Sequence, residues 1–488
     1  MNNILKYTLI SMLAFSFFGC KDYLDVNTDP NNPQDVSVDF ILPGAQASVA
    51  ATFGGSFHNL GGFWAQYYTQ SPTASQYKKI DAYNLTTDVF NREWTEAYAG
   101  GLNDLEIIRT KSSADGDNAY YLIATLTQSF ALQMLADLYN DIPFTEAFKG
   151  VSDGIINPRF DNGADVYPIL LARIDEAVAR YQDGDMGKDP GSRDIIYGGD
   201  MDQWVRFSNT LKLKMYMRMS YTSMANPAAV QSLLSEDNFI TENAEMTQFA
   251  NEPGKQNPMY GVDVQFLKGV NQRASKTLLW VLDSFSDPRL DAIFTPSGSG
   301  HRGNDQGDYD NLVVKGTDLS APKYNALTPV YLMTVTEKDF LVAEAQVRYN
   351  GGAGAQAAYE AGIESSFALH GLTGASDLYG AGGFYEYVAG GVVETEIGQI
   401  MNQKWIALAN VSNLEAFFEM NRTNYPPLSA NAKGTPGGFF ERTTSYTSVL
   451  PDGKTPRRLW VPEIEISRNS NAPGQVGNIY TKVWWDKK

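Results

Sequence analysis

Residues 118–143 read NAYYLIATLTQSFALQMLADLYNDIP, and large apolar side chains recur in this stretch at every fourth position. The recurring residues are Leu122, Leu126, Phe130, Met134 and Leu138, with alanines between them. Such a spacing places the large side chains on one face of an α-helix, and the alanines let neighbouring helices approach closely. The helix is predicted to end at 140–143, because Pro143 cannot continue it.

Similar stripes predict helices at 91–109, from about 164, at 204–219 and at 394–410, with residues 111–118 as a polar turn. Residues 336–370 predict an antiparallel helix pair, in which Thr336 and Asp339 cap the first helix and Gly351-Gly352 ends it. The pair spans about 34 residues, the period of tetratricopeptide repeats, although the consensus residues of that repeat are mostly absent. The sequence therefore predicts a mostly α fold.

Between the helices lie four irregular segments rich in Gly, Pro, Asn and Asp, at about 238–272, 286–330, 371–392 and 423–488. Ordinary connections are much shorter, and structureless loops of this length usually serve a function or contact a ligand. We expect one domain over residues 20–488, in which a helical scaffold carries a loop-rich second lobe with the ligand surface.

Residues 1–19 have the layout of a secretory signal peptide. Lys6 precedes an apolar run at 8–18, which as a helix spans roughly 16 Å, about half of a bilayer core. Gly19 and Cys20 follow, as at the cleavage site of a bacterial lipoprotein, and Cys20 is the only cysteine in the chain. Cys20 is therefore predicted to be the acylated N-terminus of the mature protein. The alternative is a plain signal peptide followed by an incidental cysteine.

Composition limits the partners. The formal charge of −18 and the pI of about 4.7 exclude nucleic acid as an expected partner, because phosphate binding requires clustered Lys and Arg. One cysteine cannot form an intrachain disulfide. No stretch after the signal peptide has 18 uninterrupted apolar residues, so the mature chain is predicted to be soluble and held to the membrane by its lipid.

No catalytic or cofactor motif is present, and no cofactor and no enzymatic activity are expected. The three histidines, His58, His301 and His370, are far apart in sequence and are predicted to be structural. Residues 303–311 cluster carboxylates as a calcium site does, but they lack the ligand spacing of an EF-hand, and a solvated turn is the favoured interpretation. Paired carboxylates of a glycoside hydrolase remain an alternative, since 56 acidic residues do not exclude them.

Several short motifs, read in order, resemble a known family. They are YLDVNTDPN at 23–31, ADLYNDIPF at 136–144, IYGGDM at 196–201, SNTLKL at 208–213, DPR at 287–289, AEA at 343–345, QKW at 403–405 and RRLWVPE at 457–463. In order and spacing this set resembles the SusD/RagB family of nutrient-binding outer-membrane lipoproteins, most of all its shorter second SusD-like branch. Asn140 departs from the pattern, because the family usually has glycine there. Asn tolerates a left-handed backbone, so the turn is expected to survive.

The resemblance implies four tetratricopeptide-like helix pairs that support a loop-rich ligand lobe. It also implies a partner, a SusC-like TonB-dependent β-barrel transporter that the lipoprotein covers as a lid. The implied function is non-catalytic capture of an oligosaccharide or peptide at the outer membrane, facing the cell exterior. Lys21-Asp22 partly matches the export signal of such lipoproteins, although a solvated tether explains it equally well. The alternatives are a surface glycoside hydrolase and a structural lipoprotein without ligand.

Sugar rings stack on aromatic side chains and need polar partners at the rim, so aromatics on polar loops are the candidate ligand contacts. Tyr77 and Tyr83 are predicted to be the stacking residues, with Asp81, Asn84 and Arg302 as polar partners. The further candidates are Tyr309, Phe384 and Tyr385. No residue of this set matches a family contact, so the choice rests on chemistry alone. The alternative for each aromatic is that it packs its own loop.

Overall fold

The structure is a computed structural model that describes residues 36–311 and 313–488, apart from the side chains of Asn431 and Ala432. The predicted signal peptide, the predicted acylation site Cys20 and the segment that follows it lie outside the described residues. Among those that are described, no helix is both long enough and apolar enough to cross a membrane.

Helices dominate the described chain. They are α1 Val38–Gly54, α2 Ser56–Trp64, α3 Lys78–Asp81, α4 Asn91–Thr95, α5 Asn103–Asp115, α6 Asn118–Tyr139, α7 Gly163–Asp183, α8 Met201–Arg218, α9 Pro227–Glu236, α10 Lys276–Ser284, α11 Arg289–Ile293, α12 Val335–Tyr349, α13 Ala355–Leu369, α14 Ser376–Tyr379, α15 Val393–Ala407, α16 Asn413–Thr423 and α17 Glu463–Arg468. Two π-helical segments, Glu96–Leu102 and Tyr260–Phe266, and two 3-10 turns, Gly191–Arg193 and Gly316–Asp318, complete the helical elements.

Helices that follow each other in the chain pack as pairs. Such pairs include α5 with α6, α7 with α8, α12 with α13, and α15 with α16. Further contacts link α8 to α12, α12 to α15, and α16 to α2, so the pairs form one continuous scaffold. The predicted mostly α fold with tetratricopeptide-like helix pairs is confirmed.

The strands are short and pair two by two. They are β1 Tyr68–Gln70, β2 Asp141–Pro143, β3 Phe160–Asn162, β4 Ala244–Met246, β5 Gln272–Ala274, β6 Phe294–Thr295, β7 Ala321–Pro322, β8 Val330–Met333, β9 Leu428–Lys433 and β10 Arg442–Thr444. β1 pairs with β5, β2 with β3, β4 with β8 and β6 with β7, all antiparallel, whereas β9 and β10 are parallel. These pairs lie mainly in the long irregular segments and tie distant loops together.

Several local predictions need correction. The predicted turn at 111–118 is mostly helical, because α5 continues to Asp115 and ends only at Gly116, whose φ of 77° suits glycine. Thr334 caps α12, with its hydroxyl accepting from the backbone N–H of Glu337 at 3.1 Å, so the predicted cap at Thr336 is two residues too late.

Asn140 follows α6 with a φ of 70°, in agreement with the predicted tolerance of asparagine for a positive φ. Its side chain also links distant parts of the chain, because Oδ1 accepts from the backbone N–H of Trp484 at 2.7 Å and Nδ2 donates to Asp141 at 2.9 Å. An asparagine therefore does more here than supply a positive φ.

A network of ion pairs is buried where the helix pairs meet. Five cations and five carboxylates from α6, α8, α12, α15 and α16 take part: Lys214, Arg218, Arg348, Lys404, Arg422, Asp137, Glu337, Glu344, Glu415 and Glu419. All of these side chains except Arg348 are fully or almost fully buried. The charges balance, as buried charges must if they are to remain ionised.

Candidate functional site

The loops of the second lobe are tied together around Asp81, the buried carboxylate at the end of α3. Its Oδ2 accepts hydrogen bonds from the hydroxyl of Thr69 at 2.8 Å and the backbone N–H of Gln70 at 2.7 Å, and its Oδ1 accepts from Nε2 of Gln306 at 2.5 Å. These hydrogen bonds favour the charged form and lower the pKa of Asp81, but burial has the larger effect and raises the pKa to about 6. Asp81 therefore fastens β1 to loop 304–307 and has no oxygen free for a ligand.

The two tyrosines predicted to stack on sugars are buried beside this carboxylate. The ring of Tyr77 lies against Phe63, with 5.5 Å between centroids, and its backbone N–H donates to Oε1 of Gln70 at 2.7 Å. Tyr83 adopts a φ of 59° at the turn after α3 and is also buried. In this conformation neither ring has a face that is open to solvent. The stacking role of Tyr77 and Tyr83 stays a prediction.

The remaining candidates near Asp81 differ in exposure. Asn84 and Arg302 are exposed. The backbone of Arg302 is fixed, because its N–H donates to Oγ of Ser320 at 3.1 Å and its carbonyl accepts from the Ser320 N–H at 2.8 Å. Tyr309 is buried under the ammonium group of Lys78, which lies 4.6 Å from the ring centroid. The structure thus brings Asp81 and the loop of Tyr309 together and leaves only polar side chains of this group at the surface.

Phe384 and Tyr385, the last two candidates, lie in a separate cluster. Tyr385 is buried, and its hydroxyl donates to Oδ2 of Asp287 at 3.0 Å. Asp287 in turn pairs with Arg289 at 2.6 Å, so the Asp287-Pro288-Arg289 motif holds the loop of Phe384 against the helical scaffold. Phe384 itself is 67 % exposed, although its ring stacks on Phe285 with centroids 4.8 Å apart.

Phe384 belongs to a set of aromatic rings that we call the aromatic surface: Trp280, Phe285, Phe384 and Phe439. The ring of Phe439 lies 4.9 Å from Phe285 and 4.6 Å from Trp280, measured between centroids. Phe439 is 44 % exposed, and Trp280 and Phe285 are half-buried. Contiguous exposed rings of this kind usually mark a binding site. They rest on a fixed base, because Phe285 packs edge-on against the buried Tyr385 at 5.7 Å.

The carboxylates of the acidic loop 303–311 and the buried His58 were the candidates for metal or proton-transfer chemistry. No group of three or more His, Cys, Asp or Glu within 36–311 and 313–488 is placed to hold a metal ion. In the loop proposed as a calcium alternative, Asp310 pairs with Lys78 at 3.0 Å and Asp305 with Lys276 at 3.2 Å. His58 is buried, and burial lowers its pKa to about 4, so it is neutral at physiological pH.

Comparison with known families assigns the chain. A SusD-like family profile, described as "Starch-binding associating with outer membrane", matches residues 30–440. The chain belongs to this family. The resemblance predicted from the short motifs is thereby confirmed for the SusD-like branch.

Solved structures agree with the assignment of the SusD-like fold. A SusD homologue from Bacteroides uniformis has a TM-score of 0.74 at 23 % identity, with 92 % of this chain and 100 % of that chain covered. A SusD-like protein from Bacteroides thetaiotaomicron has a TM-score of 0.74 at 22 % identity, with 93 % and 99 % covered. A chitin-binding SusD homologue from Flavobacterium johnsoniae has a TM-score of 0.73 at 21 % identity, with 91 % and 98 % covered. A comparison with curated proteins gives no match.

Three residues of the aromatic surface of this SusD-like chain, Trp280, Phe285 and Phe439, were not predicted from the sequence. Phe439 follows two glycines in Gly437-Gly438-Phe439-Phe440, which repeats the pattern Gly382-Gly383-Phe384-Tyr385. That repetition is a usable signal for aromatics on loops. It is not a specific one, because Gly61-Gly62-Phe63-Trp64 has the same pattern and lies buried in α2. Trp280 gives no such signal, since it lies on a helix.

Proposed function

We propose that this SusD-like protein captures an oligosaccharide at the cell surface without hydrolysing it. It then delivers the oligosaccharide to a SusC-like TonB-dependent β-barrel transporter, which it covers as a lid. The family description, starch-binding and associated with the outer membrane, supports the ligand class and the location. The name of one structural relative, a chitin-binding SusD homologue, supports the same class. The observation that carries the proposal for this chain is the aromatic surface.

A sugar ring has an apolar face of C–H groups, which loses contact with water when it stacks on an aromatic ring. Phe384 and Phe439 offer such rings at 67 % and 44 % exposure, an arrangement that is unfavourable unless a ligand covers them. Because the base of the surface is packed and clamped by Tyr385, the rings need little further ordering when the ligand binds. Ser429 and Glu441, which lie next to Gly437, place polar atoms beside the loop of Phe439 for the sugar hydroxyls.

Truncating an exposed ring of the aromatic surface is expected to weaken oligosaccharide binding. Phe439→Ala and Phe384→Ala should each weaken binding by about 1–3 kcal/mol, which is the value of burying one large apolar side chain. This loss corresponds to a roughly 5- to 150-fold rise in Kd. A glycan array that includes starch and chitin fragments identifies the ligand, and calorimetry with that ligand measures the change.

The matched control is Phe40→Ala, since Phe40 is 64 % exposed but lies on α1, outside the aromatic surface. It should bind as wild type does. Tyr77→Ala and Tyr83→Ala, measured on protein that circular dichroism shows to be folded, should also leave affinity unchanged, because both rings are packed inside. If the variants of Tyr77 and Tyr83 weaken binding and Phe384→Ala and Phe439→Ala do not, the ligand lies at the Asp81 cluster. Release of reducing ends from the bound glycan would favour the hydrolase alternative.

The lipid anchor is proposed at Cys20. Cys20→Ala should move the protein from the membrane fraction to the soluble fraction, because the acyl chains, at about 0.8 kcal/mol per buried CH₂, supply the membrane affinity. Fractionation and metabolic labelling with a fatty acid check this. A variant that still carries label and sediments with membranes would show that Cys20 is not the acylated residue.

The transporter partner is proposed on the family assignment. Affinity purification of the tagged lipoprotein from outer membranes in mild detergent should recover a much larger β-barrel chain at a fixed ratio. The matched control is the Cys20→Ala protein, which lacks the anchor and should recover less of that chain. Recovery of the lipoprotein alone at native expression would contradict the lid function.

A further inference from the structure

A polar cleft of about 610 Å³ lies on the helical side of the molecule. Its walls are the N-terminus of α12, the C-terminal end of α13, strand β4 with the residues that precede it, and Tyr197. No residue of the aromatic surface lines it. Its volume falls within the range of about 300–1,000 Å³ that is usual for small-ligand sites.

One wall presents a hydroxyl group that has nothing to bind. The N-terminus of α12 is capped by Thr334, and Oδ1 of Asn243 accepts from the backbone N–H of Val335 at 3.0 Å. Thr336 therefore has no capping function. It lines the cleft, it is 2 % exposed, and its hydroxyl has no hydrogen-bond partner among the described residues. Buried polar groups are nearly always satisfied, so an unsatisfied one at a cleft indicates a missing partner.

A second wall of the cleft presents carboxylates without counter-charges. Glu242 and Glu245 line the cleft, and no lysine or arginine is among its described lining residues. Burial raises the pKa of Glu245, while the amide of Asn243 donates to its Oε2 at 3.3 Å and lowers it. The same asparagine contacts the N-terminus of α12, so the carboxylate wall and the hydroxyl wall are adjacent.

The chemistry of the two walls selects the ligand. An anion is repelled by the carboxylates of Glu242 and Glu245, and a cation is disfavoured at Thr336 by the positive end of the α12 dipole. A neutral polyol satisfies both walls, because its hydroxyls accept from the hydroxyl of Thr336 and donate to the carboxylates and to Oγ of Ser365, whose own proton is donated to Asp339 at 3.0 Å. Ile196, Val335 and Leu369 add the apolar contacts that the C–H face of a ring requires.

We propose that this cleft binds a neutral saccharide ring, as a second site apart from the aromatic surface. The inference rests on the saccharide class of ligand in the proposed function, but it uses other residues. Each site can therefore fail separately in the same experiment.

The test is calorimetry and saturation-transfer NMR on the detergent-solubilised full chain with maltotriose and chitotriose. Thr336→Val removes the hydroxyl at nearly constant shape, Thr336→Ser retains it, and Glu245→Gln removes one charge. In a background that carries both Phe384→Ala and Phe439→Ala and so lacks the two exposed rings of the aromatic surface, Thr336→Val should weaken the remaining binding at least tenfold, and Thr336→Ser should not. The melting temperature of Thr336→Val should not fall, because an unsatisfied buried hydroxyl contributes nothing to folding.

Three outcomes overturn the second site. If Phe384→Ala combined with Phe439→Ala abolishes all binding, the aromatic surface is the whole site and the proposed function stands. If Thr336→Val in that background binds both sugars as tightly as the background does, the hydroxyl is not a ligand contact. If Thr336→Val loses stability with unchanged affinity, the hydroxyl holds a structural water. Binding that persists in Phe439→Ala but fails in Thr336→Val would instead place the main saccharide site in the cleft.

Discussion

Replacing Arg218 with methionine is expected to lower the free energy of unfolding by about 3–5 kcal/mol, the usual cost of removing one partner from a buried ion pair. The guanidinium group of Arg218 is fully buried and pairs with Asp137 at 2.9 Å, Glu415 at 2.6 Å and Glu419. Methionine fills similar space, so packing is largely kept. What is lost is the positive charge. The negative charges of three buried carboxylates from α6 and α16 then repel one another with less positive charge nearby to neutralise them.

Arg92→Ala is the matched control, because Arg92 pairs with Glu96 at 2.7 Å on the surface. A single exposed pair contributes about 0–1 kcal/mol, so this variant should unfold almost as wild type does. Urea denaturation of both variants measures the difference. If Arg218→Met lost no more stability than Arg92→Ala, the buried network would not stabilise the helix scaffold.

The pH dependence of stability gives a second readout of the same network. Burial alone would raise the pKa of Glu419, but Arg422, Lys404 and Arg218 outweigh burial and hold it well below its usual range. A carboxylate with a depressed folded-state pKa stabilises the fold above its unfolded pKa, about 4.3 for glutamate, and this stabilisation is lost as the pH falls through the folded value. Wild type should therefore lose stability below about pH 4. Arg218→Met should lose less over that interval, because its carboxylates have weaker counter-charges.

The same network shows why one helix could not be predicted. The α16 sequence NLEAFFEMNRT carries Glu415, Glu419 and Arg422 among its apolar residues, and charged side chains normally indicate a solvent face. Here they are buried, because their partners Arg218, Lys404 and Glu344 come from helices 15 to 201 residues away in the chain. Such pairing leaves no local signal. By contrast, α6 was predictable, since its stripe repeats every four residues without any distant partner.

For a related reason, the sequence did not distinguish the buried candidate ligand residues from the exposed ones. Tyr77 and Phe384 both occur on polar or glycine-rich loops, but Tyr77 is buried and Phe384 is exposed. The difference arises from contacts made by the folded chain: Phe63 packs on Tyr77 and the 304–307 loop is bonded to the nearby Asp81, whereas Phe384 stacks on Phe285 with one face and is 67 % exposed. Loop composition predicts that an aromatic is outside a regular element. It does not predict which side of the loop faces solvent.

Gly61→Ala is expected to destabilise the protein by about 1–3 kcal/mol or more, because it overpacks the crossing of α2 and α16. A Cβ atom at Gly61 would lie 2.3 Å from the backbone N of Leu414 and 2.4 Å from the carbonyl carbon of Asn413. A flexible side chain could move aside, but these are backbone atoms at the start of α16. The helix itself must shift, and it carries Glu415 and Glu419, so the strain is expected to reach the ion pairs of Arg218.

Gly44→Ala is the matched control and should change stability in the opposite direction. Gly44 lies on the exposed side of α1, and a Cβ atom there would meet no heavy atom of another described part of the chain within 4 Å. Alanine in a helix interior is favoured over glycine by about 0.5–1 kcal/mol, so this variant should be more stable than wild type. Urea denaturation at neutral pH measures both changes. Because the chemical change is identical at the two positions, opposite signs can arise only from the surroundings. Equal effects would mean that α2 and α16 do not approach at backbone distance in solution.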